Sequence, residues 1–297
     1  LFFYSMDIII AKNCGLCYGV KRALELAKST RRRRSGKVFT LGELIHNPQV
    51  IAQLEKQGIH SIENPGSVLT GPVIIRSHGV APRVYELLER KKIKIVDATC
   101  PIVKKIQRLV ERLTEENKEV IIVGNREHPE IKGLIGYSRG KGRIIENEAQ
   151  VQALPRRKKR VVLAQSTQDI FLFGRIVAAL VEKTECLEIH NTICHSTQTR
   201  QKSTSELAAQ VDVLFIVGGK SSSNTNKLYE ISKRIQPNTH FIEKAGQITP
   251  EMLRGAKIIG LSGGASTPPE AIEEAVARIR KSFDRQSQRE NAVPWQS

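Results

Sequence analysis

The sequence predicts an α/β protein of three similar domains, each a small, mostly parallel sheet with helices, arranged pseudo-threefold about a common centre. Three observations predict this. Short Val/Ile-rich runs alternate with longer amphipathic stretches from end to end, as βαβ units require. The apolar load is carried by Ile, Val, Leu and Ala, with aromatics at only 5%, which suits strands covered on both faces. Cys17, Cys100 and Cys194 recur about once per small-domain length, each close behind an apolar run. The expected domains are residues 18–100, residues 101–193, and residues 1–17 joined to 194–281, with a polar tail over 282–297.

Each element can be justified in chain order. "MDIIIA" reads as a strand leading to Cys17, and Tyr18 to Lys28 as the helix after it. Val38 to Leu41 is a strand whose exit carries His46. "VIIR" ends at His78, before a helix from Pro82 to Lys91. "IKIVDA" runs to Cys100, and an amphipathic stretch from Ile102 to Glu116 follows. "EVIIVG" leads to His128 and Glu130. "RVVLAQ" runs into Ser166 and Thr167, ahead of a helix from Phe171 to Glu182. "CLEIHNTI" delivers Cys194. "VLFIVGG" leads to Ser221, Ser222, Ser223 and Asn224 and a helix to Ile235, and "KIIGLS" leads to Ser266. In open α/β sheets, ligands gather at the carboxyl ends of strands. Polar or sulfur groups at every one of these ends predict one shared site.

Composition bounds the class. The chain has 297 residues, 40% hydrophobic, enough for several packed cores. No apolar run is long enough to span a membrane, and no signal-peptide core is seen. Leu1–Ser5, ahead of Met6, read as an upstream extension or a cloning remnant. Five cysteines, an odd number, argue against a disulfide framework and for a reducing, cytoplasmic setting. The net charge of +17 favours anionic partners. Two basic runs, Arg31 to Arg34 and "PRRKKR" at 155–160, read as solvated loop tips.

The chemistry follows from residue types. Cys17, Cys100 and Cys194 precede predicted helices, whose amino ends favour thiolate. Thiolates ligate iron–sulfur clusters and zinc alike, and three of them leave one metal position open. "NCGLC" is a lone CxxC, so Cys14 and Cys186 read as incidental. His46, His78 and His128 sit beside turn formers and suit an anion pocket, since imidazole can donate from either nitrogen. "VGGKSSSNTNKL" departs from the Walker pattern, yet glycines, hydroxyls and a helix amino end suit an anion. "GGASTPP" repeats the device, and two such turns fit a diphosphate. Glu130 is the carboxyl group placed to carry a proton.

Eight motifs then act together. "GLCYGVKRA", "LGELIHNPQV", "SHGV", "DATCP", "EHPEIKG", "TICHSTQTRQ", "GGKSSSNTNKL" and "SGGASTP" resemble, in order and spacing, the 4-hydroxy-3-methylbut-2-enyl diphosphate reductase family, from about Met6 to Ile279. The resemblance implies a central 4Fe-4S cluster held by Cys17, Cys100 and Cys194. It implies that His46, His78, His128, Ser222, Ser223, Asn224 and Ser266 bind the diphosphate, that Ser166 and Thr167 orient the reacting end, and that Glu130 relays the proton. Ser166 departs from the family's usual threonine. The implied reaction is reductive dehydroxylation of an allylic alcohol diphosphate to isopentenyl and dimethylallyl diphosphate, the last step of the methylerythritol phosphate route. With no flavin or nicotinamide motif, the implied electron donor is a flavodoxin or ferredoxin. Two rival classes fit fewer residues. A nucleic-acid binder has the charge but no recognition signature, and a zinc-dependent hydrolase would use the thiols without iron.

Overall fold

The structure is a computed structural model that describes residues 6–34, 36–67 and 71–291, without the side chains of 284–291. Leu1–Ser5 and the end of the expected tail, 292–297, lie outside the described residues. The chain alternates strand and helix throughout: β1 (Asp7–Ile10), α1 (Tyr18–Arg32), β2 (Val38–Leu41), α2 (Pro48–Lys56), β3 (Ile59–Ile62), β4 (Val73–Ile75), α3 (Pro82–Arg90), β5 (Ile95–Asp97) and α4 (Pro101–Glu115). There follow β6 (Val120–Val123), α5 (Pro129–Tyr137), β7 (Arg143–Ile145), α6 (Glu148–Gln152), β8 (Arg157–Ala164), α7 (Ile170–Val181), β9 (Thr184–His190) and α8 (His195–Ala208). The last elements are β10 (Val213–Val217), α9 (Ser223–Ile235), β11 (Thr239–Ile242), β12 (Ile258–Gly263) and α10 (Pro269–Asn291). Part of the expected tail is thus the end of α10.

The strands form three four-stranded sheets, ordered β3-β2-β4-β5, β7-β6-β8-β9 and β1-β12-β10-β11. Every pairing is parallel. Numbered within its own sheet, each has the order second, first, third, fourth. In the last sheet the chain's first strand, β1, takes the fourth place, with Asp7 opposite Ile258. The order is repeated three times without a sequence repeat, because an inner parallel strand demands only a continuous apolar run. β4, β6 and β10 meet that demand, buried at every position.

Two compact units divide the chain. Residues 17–198 hold the first two sheets. Their cores include Leu41, Val73 and Ile75 in one sheet and Ile121, Val123, Val162 and Ala164 in the other. Residues from 199 onward, with residues up to 16, hold the third sheet, packed around Phe215, Ile259, Leu261 and Ile272.

The basic runs depart from the expectation of loop tips. Arg31 and Arg32 form the last turn of α1, where cations meet the negative end of the helix dipole. Arg157 to Arg160 lie on β8. Arg160 is fully buried, its guanidinium donating to the Glu119 carboxylate at 3.2 Å, the Lys183 carbonyl at 2.9 Å and Thr184 Oγ1 at 3.1 Å. A charge withdrawn from water survives only with such partners. Among the described residues no helix is long and apolar enough to cross a membrane.

Candidate active site

The repeated strand order fixes where ligands can enter. The first and third strands of each sheet are neighbours whose outgoing connections diverge, which opens a crevice at their carboxyl ends. In the first sheet these strands are β2 and β4, and His46 and His78 follow them. In the second they are β6 and β8, followed by His128 with Glu130 and by Ser166 with Thr167. The fourth strands, β5 and β9, end instead at Cys100 and Cys194.

Within residues 17–198 the three histidines converge. The rings of His46 and His78 stack at 4.3 Å between centroids, and His128 meets them edge-on at 5.6 and 5.2 Å. One ligand atom from each ring lies within 4.8 Å of the other two. His128 caps α5, its Nδ1 accepting the Glu130 N–H at 3.2 Å. That bond fixes the tautomer: Nε2 carries the proton and is left as a donor. His46 Nδ1 lies 3.0 Å from Glu43 Oε2. His78 is held well below the usual histidine range and His128 at about 3, by burial first, then by the neighbouring imidazoles and Arg76. His78 and His128 are therefore neutral at pH 7. Three nitrogens this close could also ligate a metal. The Arg76 charge, acting on both His78 and His128, opposes a dication and favours an anion.

Glu130 stands in the first turn of α5, 1% exposed. Its Oε1 accepts the Ser166 N–H at 2.7 Å and its Oε2 the Ser166 hydroxyl at 2.6 Å. Burial raises its pKa, and these two bonds oppose the rise. Such a carboxyl group keeps its proton to higher pH than one in water. Ser166 also accepts the Cys194 N–H on its carbonyl at 2.9 Å. The first sheet repeats this link, since the Cys100 N–H donates to the Ser77 carbonyl at 2.9 Å, one residue before His78. Third-strand exit and cysteine are thus tied by one backbone bond in each of the two sheets. Thr167 Oγ1 accepts from Gln165 Nε2 at 2.8 Å.

The three thiols share one neighbourhood. Cys17 and Cys100 are the N-cap residues of α1 and α4, and neither side chain caps its helix. Cys194 precedes α8 and its carbonyl accepts from Thr197 and Gln198. The Cys100 thiol is pushed up by burial, pulled down by the Ile102 and Val103 N–H groups, and raised by the charges of Cys17 and Cys194. All three are free cysteines. Three cysteines gathered at helix ends offer the donor set of an iron–sulfur cluster or of zinc. Gly19 clears the space: a Cβ there would stand 2.6 Å from Cys100 Sγ and 4.0 Å from Cys17 Sγ.

The other unit carries a polar group of its own at the carboxyl ends of its first and third strands, β10 and β12. Ser222 caps α9 and lies 3.5 Å, Oγ to Oγ, from Ser266. Ser223 opens α9. Both amide atoms of Asn224 are buried without a hydrogen-bond partner, a cost that an incoming anion or its solvation shell would remove. Cys14 is packed into this unit's core near Arg200, and Cys186 is exposed on β9.

Sequence reasoning passed over Gly19 and Arg76. Gly19 had a signal, since glycine in a helix's first turn forgoes about 1 kcal/mol and sits two residues from a candidate ligand. Arg76 had none, because its nearness to His128 comes from folding alone.

Comparison with known proteins gives a consistent picture. The family model described as LytB protein matches residues 8–280. The 4-hydroxy-3-methylbut-2-enyl diphosphate reductase of Aquifex aeolicus is 42% identical over 93% of this chain and 96% of its own length. The protein of that name from Geobacter metallireducens is 40% identical over 93% of this chain and 98% of its own. A solved (E)-4-hydroxy-3-methyl-but-2-enyl diphosphate reductase, described as the terminal enzyme of the non-mevalonate pathway, aligns with TM-score 0.68 at 42% identity, covering 93% of this chain and 99% of that one. The Plasmodium falciparum E-1-hydroxy-2-methyl-but-2-enyl-4-diphosphate reductase aligns with TM-score 0.87 at 28% identity, covering 92% and 87%.

Proposed function

The chain belongs to the LytB protein family, and from that premise we infer that it is a 4-hydroxy-3-methylbut-2-enyl diphosphate reductase, acting at the last step of the non-mevalonate pathway. The single observation that carries the site assignment is the chain of bonds from Glu130 through Ser166 to Cys194. It puts a buried acid two hydrogen bonds from a candidate cluster ligand.

In this reading Cys17, Cys100 and Cys194 hold a 4Fe-4S cluster. When bound, it supplies electrons one at a time and a Lewis-acidic iron with no thiolate. The histidine trio donates to the diphosphate and fixes the allylic end near the thiols. In their own unit, Ser222, Ser223, Asn224 and Ser266 are read as diphosphate-binding donors. Removing the hydroxyl takes two electrons and two protons and releases water. Glu130 gives the proton that turns the departing hydroxyl into water. Ser166 keeps that carboxyl group aimed, and Thr167 orients the hydroxyl. Protonation at either end of the remaining allyl fragment yields isopentenyl or dimethylallyl diphosphate.

The electrons come from a small acidic carrier, a ferredoxin or flavodoxin, drawn by the +17 charge. Tyr18, 73% exposed beside Cys17, and the exposed Lys21 one turn on suit its docking. We assign the protein to the cytoplasm on its free thiols, and three domains to its three sheets.

Anaerobic purification followed by iron, sulfide and zinc analysis tests the assignment, alongside turnover with a chemical reductant. About four irons and four sulfides per chain, lost in Cys100→Ser, are expected. Stoichiometric zinc without sulfide would replace this reading with the hydrolase.

A further inference from the structure

A cavity of about 500 Å³ is lined by residues of β2, α3 and α5 within the unit that holds the histidines, none of which lines it. Its lining is of two kinds. Arg76, Arg83, Arg90 and Lys132 set four cations against one carboxylate, Glu63. Leu41, Val80, Val84 and Leu87 supply apolar surface. Lys132 also pairs with Glu127 at 2.8 Å, a contact between exposed groups that is easily exchanged.

Arg76 is the group that marks this cavity as a site. Its Nε is buried and makes no hydrogen bond. Its guanidinium lies against Gly42, where a Cβ would stand 2.2 Å from Nη1 and φ is +71°. Only glycine lets the arginine lie there. The guanidinium is thus held at the cavity wall, where the Glu63 and Glu43 carboxylates act on it.

We propose that this cavity binds an organic diphosphate bearing a short hydrocarbon chain, at a site separate from the histidine trio. Guanidinium groups grip phosphate oxygens in pairs, and the aliphatic side chains take the hydrocarbon. The volume lies within the ~300–1,000 Å³ of small-molecule sites. An anion beside Arg76 screens the charge that His78 and His128 feel. Occupancy therefore alters the trio's grip on its own diphosphate without blocking it.

The binding claim stands without the reductase reading. Only its effect on substrate affinity rests on that reading. The probe is geranyl diphosphate, titrated calorimetrically into the anaerobically purified full chain, without reductant and with substrate saturating. One equivalent should still bind to the parent. Affinity should fall at least about 10-fold in Arg83→Glu and recover to within about 3-fold in Arg83→Lys. Inorganic pyrophosphate and geraniol should each bind about 10-fold more weakly than the probe. No binding once substrate saturates overturns the proposal, as does parent-like affinity in Arg83→Glu or equal affinity for either control. Should the substrate itself fail to bind, the reductase reading falls, while the Arg83-dependent titration still decides this one.

Discussion

Replacing Gly19 with alanine tests whether the room between Cys17 and Cys100 is held for a cofactor. The added methyl would meet Cys100 Sγ at 2.6 Å and its Cβ at 3.3 Å. Ordinary contact begins near 3.4 Å, so the thiol must retreat by most of an ångström. For the fold the balance is mild. Overpacking costs about 1–3 kcal/mol, and alanine returns about 1 kcal/mol of helix propensity in α1. The net loss of about 0–2 kcal/mol leaves the protein folded. For a metal centre the same shift is severe, because ligand distances tolerate only ~0.2 Å. The expected result is a folded protein whose melting temperature drops by a few degrees and whose iron and sulfide fall to a small fraction of the parent's. Paired metal analysis and thermal melts of the metal-free protein measure both. A Gly19→Ala protein with full iron and sulfide would refute the reasoning.

Three further outcomes follow from the same geometry. Glu130→Gln keeps its iron but loses about 100-fold or more in rate; single-turnover rates at parent level would remove Glu130 from proton transfer. Ser166→Ala deletes a hydroxyl bond that favours the charged carboxylate. A bond of that type is worth about 1.5–3 kcal/mol, so the Glu130 pKa rises by about 1–2 units. The protonated acid then persists to higher pH, and the alkaline limb of the rate profile moves up by that amount; an unmoved limb contradicts the pairing. Diphosphate binding raises the pKa of His78 and His128, which burial first and neighbouring positive charge hold low in the empty site, His128 at about 3. Protons are therefore taken up on binding, and affinity falls as pH rises through the pKa values of the complex. Calorimetry in buffers of different ionisation heat measures the uptake, and a heat independent of buffer counts against the trio as the anion site.

Much of the fold was legible because inner strands announce themselves. "EVIIVG" and "VLFIVGG" are continuous apolar runs, and β6 and β10 fall on them. The strands that escaped notice are β3, β7 and β11, with sequences IHSI, RII and THFI. All three occupy the edge beside a first strand. An edge strand is short and half-solvated, so its pattern sinks into that of a loop. The threefold strand order was legible only as cysteine spacing, since topology leaves no residue signature. In the site, the three histidines were visible from their strand exits. The Glu130–Ser166 pair was not, because its partners are 36 residues apart and only sheet order brings β6 beside β8. The misjudged run at 155–160 teaches the opposite lesson. Charge density alone does not say that Arg160 has Glu119 and two carbonyls waiting inside.

The placement of β1 carries a consequence for synthesis on the ribosome. This strand is made well before its partner β12, which lies about 250 residues downstream. At about 5–20 residues per second the wait is roughly 12–50 s. During that interval Ile8, Ile9 and Ile10 hang from a nascent polypeptide with unpaired edges, a natural target for a holding chaperone. Stalled chains ending before Ile258 should be clipped by protease near Ile10, whereas released full-length chains should resist.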